Sequence, residues 1–227
     1  MTLGNLGITH DMLGGYVESQ SYHTTAIEVG QAIGDVEGEF WAQVSLAMTI
    51  GHQLDYARAL RMARRAHTLA QQLGTRNPLA MAEMILAHVL AEAGDLDAAE
   101  THYTTAREHC AALNQHNYIQ EIRAGLARVA LARGHVQLAV EYIESIEAYL
   151  VEHSLEGVEE LARVHFTGYQ VFSAAGQIES ARRWLQRGQA TLRTLSAAIT
   201  DPALRESFEE HVPYNRALLS AKIGVVG

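Results

Sequence analysis

The chain has 227 residues, 48% apolar and 19% charged, so it can bury a core and is not disordered by composition. A formal charge of −9, a single lysine (Lys222) and no basic run argue against nucleic acid as a partner, and no apolar run approaches the roughly 18–20 residues of a membrane span. The lone cysteine, Cys110, excludes an internal disulfide and suits a reducing compartment, and MTLGNLGITHD has no basic-then-apolar secretory signal, so a cytoplasmic location is expected.

Taken in chain order, the segments repeat. Gly14, Leu54, Gly94, Gly134 and Gly176 fall in register, followed two residues on by Tyr16, Tyr56, Leu96, Val136 and Ile178. Ser19, Ala59, Ala99, Ala139 and Ala181 come three residues later, and Ala26, Ala66, Ala106, Ile146 and Gly188 seven beyond those. Upstream, Leu6-Gly7, Leu46-Ala47, Leu86-Ala87 and Leu126-Ala127 hold the same phase, whereas Gly168-Tyr169 departs in both places. The period is 40 residues three times and then 42, the extra pair falling in EHSLEGVEE. A fixed period of this size marks a solenoid.

Each unit reads as helix, tight turn, helix, looser turn. First helices are expected near 2–14, 37–52, 78–93, 118–133 and 157–175, and second helices near 17–33, 56–73, 97–113, 137–153 and 179–197. Small residues sit where the two helices of a hairpin cross, and glycine at the first turn accepts positive φ where the helix stops. Asp201-Pro202 opens a further helix, broken at Pro213, that serves as a cap for the last repeat. These features predict an all-α, right-handed α-solenoid of about five helix hairpins with a C-terminal capping helix. The array occupies 1–198, with repeats near 1–34, 37–74, 78–114, 118–154 and 157–197, and the cap and tail occupy 199–227. At the N-terminus the first residue already falls inside a repeat's first helix. Either the first repeat is naturally short, or the chain belongs to a longer protein whose effector or ATPase domain precedes it.

The L-G/A…G-x-Y/L…A…Y…A series resembles the tetratricopeptide (TPR) repeat, most closely in NLGITHDMLGGYVESQSYHTTAIEVGQAIGD. The 40-residue period, longer than the usual 34 or so, resembles the MalT-like repeats appended to bacterial signalling ATPases and transcription regulators. That resemblance implies a sensor domain whose first helices line a concave groove. Carried over position by position, the groove would be lined by Met1, Asn5, Ile8, Asp11 and Met12, then Trp41, Val44, Ser45, Met48 and His52, then Met81, Met84, Ile85, His88 and Glu92. Glu121, Ala124, Arg128 and Leu131 would follow, and finally Arg163, Phe166, Thr167 and Gln170. Five of the six methionines fall on this surface, with Trp41 as an aromatic anchor and Arg128 and Arg163 able to fork an anion. The same stripe is equally what packing between neighbouring first helices would require.

Catalysis finds little support. His102, His109 and His116 recur every seven residues, about 10 Å apart along a helix, too far for neighbours to share one ion. Glu159-Glu160 and Glu209-Glu210 read as solvated faces, and LGNLG is a packing motif rather than a phosphate loop. The expected protein is therefore a non-enzyme without metal or cofactor. It is either the sensor part of a larger cytosolic regulator, binding a protein, peptide or effector molecule, or a free-standing scaffold that docks peptides or self-associates through repeat 1.

Overall fold

The computed structural model describes residues 2–155 and 157–222; of the sequence expectations, groove residue Met1 and the tail 223–227 lie outside them. The described residues are 82% helical and contain no strand. They separate into two compact units, 1–115 and 116–227, where the sequence reading treats 1–198 as one array.

The first unit holds α1 (Leu3–Met12), α2 (Tyr16–Ile33), α3 (Val36–His52), α4 (Tyr56–Leu73), α5 (Arg76–Glu92) and α6 (Leu96–Ala112). Each odd helix pairs with the even helix after it, and α3 and α5 also pack on the hairpin before them. The second unit holds α7 (His116–Ala132), α8 (Val136–Tyr149), α9 (Leu161–Ala174), α10 (Ile178–Ala198), α11 (Pro202–Glu210) and α12 (Pro213–Ser220). There α12 lies against α9 and α10 as the cap. Leu218 of α12 is fully buried, and the Gln189 amide donates to the Leu218 and Ala221 carbonyls.

Turn chemistry explains where the hairpins fold back. Gly14, Leu54, Gly94, Gly134 and Gly176 all have φ between 64° and 88°. The residue after Leu54 or Gly94 is aspartate, and its carboxylate accepts from a backbone N–H in the next helix: Asp55 from Arg58 and Asp95 from Ala98. One dipeptide thus ends one helix in the left-handed region and caps the next.

A second regularity sits at the hairpin crossing. Gly7, Ala47, Ala87, Ala127 and Gly168 each precede by sixteen residues a buried partner on the second helix: His23, Ala63, Tyr103, Ile143 and Trp184. Glycine occurs where the partner is a ring that lies directly on the backbone. A Cβ at Gly7 would stand 2.5 Å from the His23 ring, and one at Gly168 would stand 2.3 Å from Trp184. The departure at Gly168 is therefore the complement of Trp184, not a loss of the repeat.

The 42-residue spacing has its own structural answer. α8 ends at Tyr149 and α9 starts only at Leu161, four residues after the expected start, because the intervening connection tucks Leu155 and Val158 into the core. Gly157, at φ 80°, turns the chain there.

Two substitutions test these constraints in opposite directions. Leu54→Gly should raise stability by about 0.5–1 kcal/mol in urea unfolding, because it relieves a left-handed leucine whose side chain is largely exposed. Gly168→Ala should lower it by about 1–3 kcal/mol through overpacking against Trp184.

Candidate functional site

In the first unit, the odd helices contribute seven of the residues singled out from the sequence, and they divide by burial. Trp41, Met48 and His52 are half-buried and Glu92 is exposed. Met81, Met84 and His88 are buried, at 5%, 2% and 4% exposure, so they pack the interior of the unit instead of lining an open groove. His88 Nδ1 and the Tyr103 hydroxyl are hydrogen-bonded at 2.5 Å, a link between α5 and α6. His52 is anchored by Asp11 at 3.2 Å, and its ring lies 5.8 Å from that of Tyr16, tilted by 44°.

Several of the histidines are thus structural. Glu83 of α5 bridges His67 of α4, at 2.8 Å, and His102 of α6. Burial works against the Glu83 carboxylate, but hydrogen bonds and charge from both histidines outweigh it and hold its pKa below the usual carboxylate range. The hydrogen bond to Glu83 raises His67 in return, against the cost of its burial.

One open feature of this unit is a cleft of about 510 Å³ bounded by the start of α1, the second half of α2 and the start of α3. Its walls are mostly apolar: Leu3 and Ile8 from α1, Ala26, Val29 and Ile33 from α2, Trp41 and Ala42 from α3. Asn5, Asp35 and Ser45 supply polar groups, the Asp35 carboxylate being already engaged as the N-cap of α3. The His23 imidazole also borders the cleft. It is buried, and neither ring nitrogen has a hydrogen-bond partner among the described residues. Burial, only partly opposed by the Asp11 carboxylate, holds its pKa below the normal histidine value, so the ring is neutral at pH 7. Asn5, Ile8, Trp41 and Ser45 are legible from the first-helix rule. His23, Val29 and Ile33 are not, since they come from a second helix; the signal available for them is a histidine where the other repeats carry alanine, tyrosine, isoleucine or tryptophan.

In the second unit, Arg128 is half-buried and donates to Thr167 Oγ1 at 3.3 Å. Phe166 is half-buried, 5.9 Å from the Tyr169 ring and 6.4 Å from that of Tyr214, and Gln170 is exposed. Arg163 is only 5% exposed, so it does not project as an anion fork. Its guanidinium lies 3.8 Å from both Glu121 and Glu160, and 5.8 Å from the Tyr214 ring of α12. Burial pushes the Glu121 carboxyl up to about 8, against the pull of Arg163 and with the help of the Glu160 and Glu159 charges. His165 is driven the other way, to about 4, by burial and the Arg187 charge. Helix packing accounts for these shifts, and they need no substrate to explain them.

The chain can now be placed among known proteins. The family model described as MalT-like TPR region matches residues 1–209. The chain belongs to the MalT-like TPR family. Several solved structures share its fold. The apo form of RapI superposes with a TM-score of 0.69 at 12% identity, covering 96% of this chain and 79% of that one. A Rap protein in complex with Competence and Sporulation Factor gives 0.67 at 15%, covering 95% of this chain and 60% of that one. BtubC from P. vanneervenii gives 0.59 at 18%, covering 90% and 88%. The MalT-like TPR fold is therefore an all-α helical-repeat fold of the solenoid class. No curated protein matches the chain in sequence. Among the described residues, no helix is long and apolar enough to cross a membrane.

The Glu121 environment makes a pH prediction. Its folded pKa stands above the unfolded value, so its contribution to stability is fully present below about 4.5 and declines as pH rises through about 8. Glu121→Gln should therefore be stabilising at pH 8.5, by up to about 4–5 kcal/mol, with the gain shrinking toward zero at pH 4.5. Thermal unfolding of both proteins across that range measures the difference.

Proposed function

We propose that this MalT-like TPR chain is a non-catalytic binding module that engages a segment of a protein partner through the cleft between α1, α2 and α3. In this reading it is the sensor part of a larger cytosolic bacterial signalling protein, and occupancy of the cleft is what that protein detects. The observation that carries it is the cleft itself. An apolar hollow of about 510 Å³ beside a half-exposed tryptophan is a large unfilled surface. Tryptophan is a residue type that concentrates binding energy in such settings. The Rap complex with Competence and Sporulation Factor supports the reading, as a protein of the same fold captured with a bound factor.

Exposed apolar side chains on the first hairpin, Met12 at 62% and Val17 at 75%, favour a second reading in which a copy of the chain docks there. A displayed library of random 16-residue segments selected on the purified chain separates the two. Selected binders should lose at least tenfold in affinity on Trp41→Ala. Binders indifferent to Trp41, or enrichment of none together with concentration-dependent dimerisation, would remove the cleft from consideration.

A further inference from the structure

The outer face of the second helices changes sign from repeat to repeat. α4 carries four arginines and no acidic residue, whereas α8 carries three glutamates and no lysine or arginine. By the repeat register, Arg61 and Arg64 of α4 occupy the same places as Glu141 and Glu144 of α8. Those places hold Ser21 and Thr24 in α2 and Thr101 and Thr104 in α6, so the repeat itself needs no charge there. In α10 they hold Arg183 and Gln186, one charge where α4 has two. Arg61, Arg64, Glu141 and Glu144 are all exposed. Arg65 is already paired with Glu39 at 2.9 Å, and Arg58 donates to Gln20. Arg61 donates only to the Ala57 carbonyl of its own helix, and none of the four exposed charges has an ionic partner among the described residues.

The spacing is complementary as well as the charge. Three residues separate the members of each pair, about 4.5 Å of helix. Set antiparallel, the two helices bring Arg61 to Glu144 and Arg64 to Glu141. The same alignment brings Ala57 to Ala148, both exposed and small enough for the axes to approach closely. It also brings Leu54, two residues before α4, to Val151, two residues after α8. These two are 66% and 82% exposed. A parallel alignment of the same charges would set Leu54 against Gly134 and leave Val151 unmatched. Leu54 gives an independent indication. It stands at φ 64° where the equivalent turns have glycine, and its exposed side chain gains little packing inside the chain. Strain held at an exposed apolar side chain points to a contact outside the chain.

We infer that a second copy of this chain docks its α8 antiparallel on α4, the two helices meeting through their outer faces. Leu54, Val151 and the two alanines supply the apolar contact. Exposed ion pairs add little affinity one by one, but the arginine–glutamate pairs select the partner and fix its register. The occupant is a copy of the chain because the complementary face, residue for residue, is its own. None of these residues lines the cleft, so the inference stands apart from the binding-module reading.

Sedimentation equilibrium of the full chain at low salt tests it. The unaltered chain should associate reversibly with concentration, and raising salt from about 0.05 to 0.5 M should weaken the association by screening the pairs. Arg61→Glu with Arg64→Glu, or Glu141→Arg with Glu144→Arg, should each weaken it at least tenfold. Mixing these two variants should restore it, since the reversed α4 of one meets the reversed α8 of the other and the two unaltered faces still match. Leu54→Gly should weaken association while raising the thermal stability of the monomer, a combination that a purely structural role for Leu54 would not give. All the substituted positions are exposed, and thermal unfolding checks that the variants stay folded. A chain that remains monomeric at its highest soluble concentration overturns the inference. So does association that ignores the four charges, as docking through Met12 and Val17 would, and so does a mixture of the two reversed variants that fails to associate.

Discussion

Every hairpin depends on one steric constraint: how closely its two helices can cross. The first helix offers a hydrogen or a methyl group at the crossing, and the second helix sets which, by whether the side chain it places sixteen residues later lays a ring directly on that backbone; Tyr103 does not, and it faces Ala87. Trp184 requires Gly168 and His23 requires Gly7, whereas Ala63 and Ile143 accept Ala47 and Ala127. A ridge of small residues brings backbones close enough for interior packing density. From that closeness follows the burial of Tyr103, Ile143 and Trp184, and from the burial follows the position of every other element in each unit.

Close packing also explains where the chemistry went. Histidines and carboxylates that suggest ligands or acids when read in sequence are drawn into helix-to-helix contacts and tuned by them. Glu83 ties three helices together through two histidines, and His88 ties two through Tyr103. Arg163 and Glu121 meet in the interior of the second unit under Tyr214 of the cap. Buried polar groups are costly unless compensated, so each such contact specifies the packing of its helices as much as it stabilises them. The family membership fits this economy, since a repeat unit buries its faces only against neighbours and leaves function to the surfaces where a neighbour stops short.

The hairpin array, its turns and its cap were all legible in the sequence. Their causes are local: a left-handed residue after a helix, an aspartate to cap the next one, a proline to open the last. Gly14, Leu54, Gly94, Gly134 and Gly176 mark the turns whatever surrounds them. The start of α9 was less legible, because the burial of Leu155 and Val158 that delays it is a contact with residues distant in sequence. The candidate site was half legible. Trp41, Asn5, Ile8 and Ser45 follow from the rule that first helices face the groove, while His23, Val29 and Ile33 belong to a second helix.

What the sequence determined by itself was the period, the helix pairs and the small-residue crossing, because each is written within one or two repeats. Only the tertiary structure decided which side chains of a first helix remain at the surface. Met48 and Met84 are near-equivalent in pattern, yet the first is half-buried and the second 2% exposed. Val29 and Leu69 are equivalent in register, yet one stands open and the other is closed. Burial is a property of the neighbours on every side of a helix, and a pattern along one helix carries no record of whether the neighbour is there.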